Sequence, residues 1–82
     1  MSSGPPPHEP QRALGSAVRA LRERAGLSPA ALAGRAEISV SLLARIESGD
    51  DDPSWGGMRR VARGLGVSME ELSEVAEANE RG

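Results

Sequence analysis

The chain has 82 residues and a formal net charge of −2, with one His, no Cys, and no Tyr or Phe. That length holds one small domain and leaves no room for a large enclosed active site, so the chain is read as not an enzyme. The missing Cys exclude disulfides and thiol catalysis, and the solitary His8 supports neither a metal site nor a cofactor.

Residues 1 to 10 carry four Pro and almost nothing that could be buried, which predicts a disordered or extended arm. The arm has neither the basic region nor the apolar stretch of a leader. No apolar run in the chain approaches the roughly 20 residues of a membrane span. A cytoplasmic protein is expected, with no membrane association.

Beyond the arm the pattern predicts five helices, a domain over 11 to 79 and a tail over 80 to 82. The first helix, near Gln11 to Ala25, has Leu14, Val18, Leu21 and Ala25 on one stripe and Gly26 as its stop. The later helices are announced by one recurring device: an apolar residue, a Ser, and another apolar residue four positions after it. Leu27-Ser28 with Leu32, Ile38-Ser39 with Leu43 and Val67-Ser68 with Leu72 are N-caps with hydrophobic staples. Pro53-Ser54 with Met58 is a looser case, and Glu71 completes a capping box with Ser68. No segment alternates with the period of a strand, so the fold class is all-α. Helix 2 (29–35) and helix 3 (40–48) are short and joined by a tight turn, a helix-turn-helix candidate.

At 100° per residue, helix 3 turns Leu43, Ile46 and Glu47 to one side and Ser41, Ala44, Arg45 and Ser48 to the other. Ser41 and Arg45 form a narrow polar ridge flanked by Val40 and Leu42, a width that suits a major groove. Taken singly, Arg45 reads as a solvated arginine and Ser41 as a good residue for a helix start; only the assembled pattern points further. Charge is divided in the same sense. Residues 12 to 49 hold six Arg and three Glu, whereas residues 50 to 82 hold four Arg against three Asp and five Glu. The first half can approach a polyanion and the second resists it.

From Leu14 to Leu72 the sequence resembles the phage repressor and Cro type of helix-turn-helix, the xenobiotic-response-element family. The resemblance rests on "LR" before "GLS", Leu32-Ala33, Ser39 with Leu43, "RIE" followed by Gly49, "PS", and "LGVS". It implies a five-helix, lambda-repressor-like domain that binds a double-stranded DNA operator, commonly as a dimer, with helix 3 in the major groove. It places base contacts at Val40, Ser41 and Arg45. Phosphate contacts fall near Ser28, Ser39 and the backbone amides of Ser48, Gly49, Asp50 and Asp51. It also pairs Glu47 with Arg22 as a structural contact. A weak homodimer is expected, with the stripe Leu72, Val75, Ala76 and Asn79 and nearby helix 4 residues as its contact surface, and Trp55 is expected at the edge of the core beside Met58 and Ala62.

Three features depart from the family pattern. Pro29 stands where a Gln usually contacts DNA, and Glu37 stands where the turn usually has Gly. Asp50, Asp51 and Asp52 fill a turn that tends to be basic or neutral. Two functions therefore stay open. In one, the domain is a transcriptional regulator whose DNA affinity the aspartates weaken, so that Asp50→Asn with Asp51→Asn strengthens every duplex and leaves specificity unmoved. In the other, the same scaffold serves a protein partner through Val40, Leu42 and Trp55.

Overall fold

The serine caps set the frame. The computed structural model describes residues 9 to 51 and 53 to 81 and places five helices, α1 Glu9–Arg24, α2 Pro29–Ala36, α3 Val40–Ser48, α4 Trp55–Leu65 and α5 Met69–Arg81. Ser28, Ser39 and Ser54 each accept a backbone amide with Oγ, from Ala31, Leu42 and Gly57 at 3.1, 3.0 and 3.1 Å. Ser68 and Glu71 exchange both capping-box bonds, at 3.1 and 3.0 Å. Such caps satisfy amides that a helix start otherwise leaves open, each contributing about 1 kcal/mol.

The staple residues Leu27, Ile38 and Val67 pack against the core from the loops. Its centre is Val18, Leu32, Leu43, Ile46, Val61 and Leu72, one or two from each helix. Each aliphatic side chain removed from water there contributes roughly 2 kcal/mol. α1 lies against both α3 and α5, and α4 packs on α2. The helix-turn-helix is thereby backed on two sides, and one face of α3 is left outward.

Two boundaries and two placements differ from the sequence reading. α1 begins at Glu9, two residues inside the expected arm, and Pro10 fits because the first turn of a helix has amides with no partner to lose. α5 runs through Arg81 into the expected tail. Residues 1 to 8 of the arm, Gly82 of the tail, and Asp52 lie outside the described residues.

The expected dimer stripe is part of the monomer core. Leu72 and Ala76 are buried, Val75 is half-buried, and Asn79 Nδ2 donates to the Ala13 carbonyl at 3.4 Å, because α5 lies along α1. Trp55 is 69% exposed and not at the core's edge. It is the first residue of α4, so its indole stands at the helix end, beside Met69, Glu70 and Ser73 of α5, while Met58 one turn on is buried.

Candidate nucleic-acid interface

α3 is fixed from behind by one ion pair and one close approach. Arg22, late in α1, donates from Nε to Glu47 Oε2 at 2.7 Å and from Nη2 to Oε1 at 3.2 Å. Both side chains are about nine-tenths buried. A third bond runs from Arg22 Nη1 to the Leu27 carbonyl at 3.0 Å, so one guanidinium ties α1 to α3 and to the loop before α2. The hydrogen bond to Glu47 raises the Arg22 pKa further above its ordinary value, against the opposing effect of burial. A bidentate pair of this geometry is the form in which a buried charge is tolerated.

The close approach is at Gly15 of α1. A Cβ there would overlap the Ile46 carbonyl oxygen and come within 2.7 Å of the Glu47 carbonyl oxygen. Only a glycine lets α1 press against the last turn of α3. Sequence patterning passed over Gly15, because a Gly inside a helix signals nothing until its neighbour is known.

On the outward face Val40 is 49% exposed. Ser41, Ala44, Arg45 and Ser48 are exposed with it, while Leu43 and Ile46 are buried on the opposite side. The ridge read from the helical wheel is therefore the free surface of α3. Ser28 and Ser39, at the starts of α2 and α3, are exposed, and each hydroxyl uses only its oxygen in capping. The O–H proton of each is left to donate outward.

The turn after α3 is closed by its own hydrogen bonds. Gly49 closes the helix in the left-handed region, φ 81° and ψ 11°, and its amide donates to the Ile46 carbonyl at 3.1 Å. The Asp50 amide donates to the Arg45 carbonyl at 2.9 Å. Ser48 Oγ lies 3.1 Å from the Arg45 carbonyl and 3.0 Å from Asp50 Oδ2, acceptors for its single proton. The amides of Gly49 and Asp50 and the Ser48 hydroxyl thus take part in ending the helix.

Asp51 turns toward the ridge: its Oδ2 lies 3.3 Å from Arg45 Nε. On the other flank, Glu37 adopts φ 59° and ψ 42° as the C-cap of α2, so the expected positive φ is present without a Gly. Its carboxylate is 3.8 Å from Arg63 Nη2, between well exposed side chains, and with Gly56, Arg59, Arg60 and Arg63 it lines a shallow concavity. Arg63 of α4 thus turns toward the α2–α3 turn. Among the described residues no group of three or more His, Asp or Glu could hold a metal ion, and no helix is long and apolar enough to cross a membrane.

Two short helices joined by a tight turn and backed by three others define a helix-turn-helix protein. The chain belongs to the helix-turn-helix domain family, whose model matches residues 13–75, and within it to the phage repressor and Cro, or xenobiotic-response-element, type. It is similar to the clp gene regulator ClgR from Corynebacterium glutamicum, with a TM-score of 0.85, 25% identity, and 98% of this chain and 99% of that one covered. It is also similar to the restriction-modification controller protein C.AhdI from Aeromonas hydrophila, with a TM-score of 0.74, 27% identity, and coverage of 76% and 94%. The restriction-modification controller protein C.Esp1396I shares the fold, with a TM-score of 0.83 over 89% of this chain and 96% of that one at 15% identity. No curated protein sequence matches the chain significantly.

Proposed function

We propose that the chain is a sequence-specific DNA-binding transcriptional regulator that lays α3 in the major groove of an operator. The observation that carries this is the outward ridge of α3, with Val40, Ser41 and Arg45 exposed and its opposite side pinned by Arg22–Glu47. An α-helix fits the roughly 12 Å major groove, and a ridge of small side chains with one Arg lets the backbone come close while a guanidinium reaches base edges. Arg45 is assigned to a guanine, Ser41 to a polar base edge and Val40 to a thymine methyl. Ser28 and Ser39 donate to phosphates at the starts of α2 and α3, where helix dipoles also favour an anion. The relatives' descriptions as a gene regulator and a controller protein support the same reading.

Binding as a weak homodimer on paired half-sites belongs to this proposal, since one short helix covers few base pairs. Leu72 and Ala76 are buried within one copy, so the proposed contact with the second copy draws on the exposed neighbours of the stripe and on nearby α4 residues. A second reading, recognition of a protein by the same scaffold, is favoured by the exposed Val40 and Trp55.

A pool of random duplexes, selected at low salt and sequenced, tests the choice. Enrichment of a motif containing a guanine that Arg45→Ala no longer selects is expected, with affinity falling as salt rises. No enrichment and no binding of any duplex at low salt would reject the DNA reading. Loss of a protein partner on Val40 substitution would then favour the alternative.

A further inference from the structure

We propose that Asp51 is a positioning residue for Arg45: it holds the guanidinium by its Nε side and leaves the terminal nitrogens to read guanine. The proposal rests on the DNA reading above and assigns the specificity of that site to a second residue.

The turn after α3 grips Arg45 at both ends. Its carbonyl receives the Asp50 amide at 2.9 Å and lies 3.1 Å from the Ser48 hydroxyl, and its side chain meets the Asp51 carboxylate at 3.3 Å. Asp50 and Asp51 are adjacent and carry the same charge, yet they point to different partners. Asp50 Oδ2 lies 3.0 Å from Ser48 Oγ, whereas Asp51 reaches Arg45.

A guanidinium has five N–H groups, one on Nε and two on each terminal nitrogen. Guanine presents O6 and N7 in the major groove and is satisfied by two parallel N–H bonds. A carboxylate on the Nε side leaves the outer edge formed by the two terminal nitrogens for those acceptors. It also restricts a side chain that is 59% exposed and otherwise free to sample many rotamers. A guanidinium with a fixed direction gains more from the correctly placed guanine than from a phosphate or another base. The cost is general: a carboxylate beside the groove repels every duplex alike. Asp51 thus lowers affinity for DNA as a whole while sharpening the choice at one base, whereas Asp50 contributes only the repulsion.

This replaces the sequence-based expectation that removing both aspartates leaves specificity unmoved. Wild type, Asp50→Asn, Asp51→Asn, Arg45→Ala and Arg45→Ala with Asp51→Asn are each selected on the random duplex pool. Their affinities are then measured on the enriched motif and on its variant at the guanine. Circular dichroism melts confirm folding, which these exposed or half-exposed positions leave intact.

Both Asn variants are expected to bind mixed duplex more tightly at low salt. Asp51→Asn alone should reduce guanine preference, about threefold, a part of the roughly 5- to 150-fold lost in Arg45→Ala. In the Arg45→Ala background, Asp51→Asn should behave like Asp50→Asn, since the partner is gone. If the two Asn variants raise affinity equally and keep the preference, the positioning role is overturned while the DNA reading stands. A sharper preference in Asp51→Asn also overturns it, because the carboxylate would then be withholding Arg45 from the base. If wild type enriches no motif, the DNA reading itself fails and this proposal fails with it.

Discussion

Glu37 carries a measurable strain. At φ 59° an L-residue crowds its Cβ against the following carbonyl, at roughly 1–2 kcal/mol, a cost that Gly does not have. Gly in turn loses about 0.5–1 kcal/mol of additional chain entropy on folding. The ion pair forfeited with Arg63 is long, exposed and screened, so it contributes little. Glu37→Gly should therefore stabilise the domain by about 0.5 kcal/mol and raise Tm by roughly 2–4 °C; an unchanged or lower Tm in calorimetry would mean that the cap is unstrained. This position was legible in the sequence because turn chemistry is local. The Arg45–Asp51 contact was not, since charge read along a chain gives a sum and not the partner each carboxylate turns to.

At the scale of elements, the quantity that matters is the angle of α3. Two features of α1 set it, and they make separable predictions. Gly15→Ala adds one methyl against backbone carbonyls that cannot rotate away. Overpacking of this kind costs roughly 1–3 kcal/mol, from which about 1 kcal/mol of better helix propensity is regained. A net loss of about 1 kcal/mol is expected in denaturant melts, although Ala is the better helix former; a stabilised variant would show that α1 and α3 stand further apart.

Glu47→Gln acts on the other feature and keeps the shape while stranding a buried guanidinium. It should cost about 3 kcal/mol, visible as a Tm fall of more than about 10 °C. A loss below roughly 1 kcal/mol would mean that water reaches the pair. The pairing was readable from "RIE" and a late α1 arginine, and the serine caps were readable because Ser-plus-four spacing is a property of one helix. Gly15 was not, because its meaning lies in a helix 31 residues downstream.

Alkaline pH offers no route to breaking that pair. Glu47 raises the Arg22 pKa in the folded state, so the stabilisation is fully present below the ordinary arginine pKa. It is lost only as pH climbs through the still higher folded value. The chain also has no Lys, Tyr or Cys, the side chains that ordinarily lose protons between about pH 8 and 11. Tm measured from pH 8 to 11 should stay flat within roughly 3 °C; a progressive fall would reveal a titrating group that this composition does not contain.

For the whole molecule, the question is which apolar surface belongs to the monomer and which is left for a partner. The period of α5 marked Leu72, Val75 and Ala76 as a stripe, but periodicity says only that a face is covered, not by what; α1 covers it. The same limit misplaced Trp55, since sharing a helical face with Met58 does not extend a neighbour to the helix end.

Concentration separates the two cases. A side chain buried within one chain contributes equally at every protein concentration, whereas one buried between copies makes stability rise with concentration by mass action. Leu72→Ala should cost about 3 kcal/mol by opening a cavity in the core. That is a large share of the roughly 4–12 kcal/mol available to a chain of this length. The cost should be the same at micromolar and millimolar protein. Trp55→Ala, removing a side chain that is 69% exposed, should cost less than about 0.5 kcal/mol in the dilute monomer. A Leu72→Ala penalty that grows with protein concentration would return the stripe to the dimer interface. A constant penalty, with wild-type stability still rising with concentration, would direct the search for the second copy's contact to surfaces such as that of Trp55.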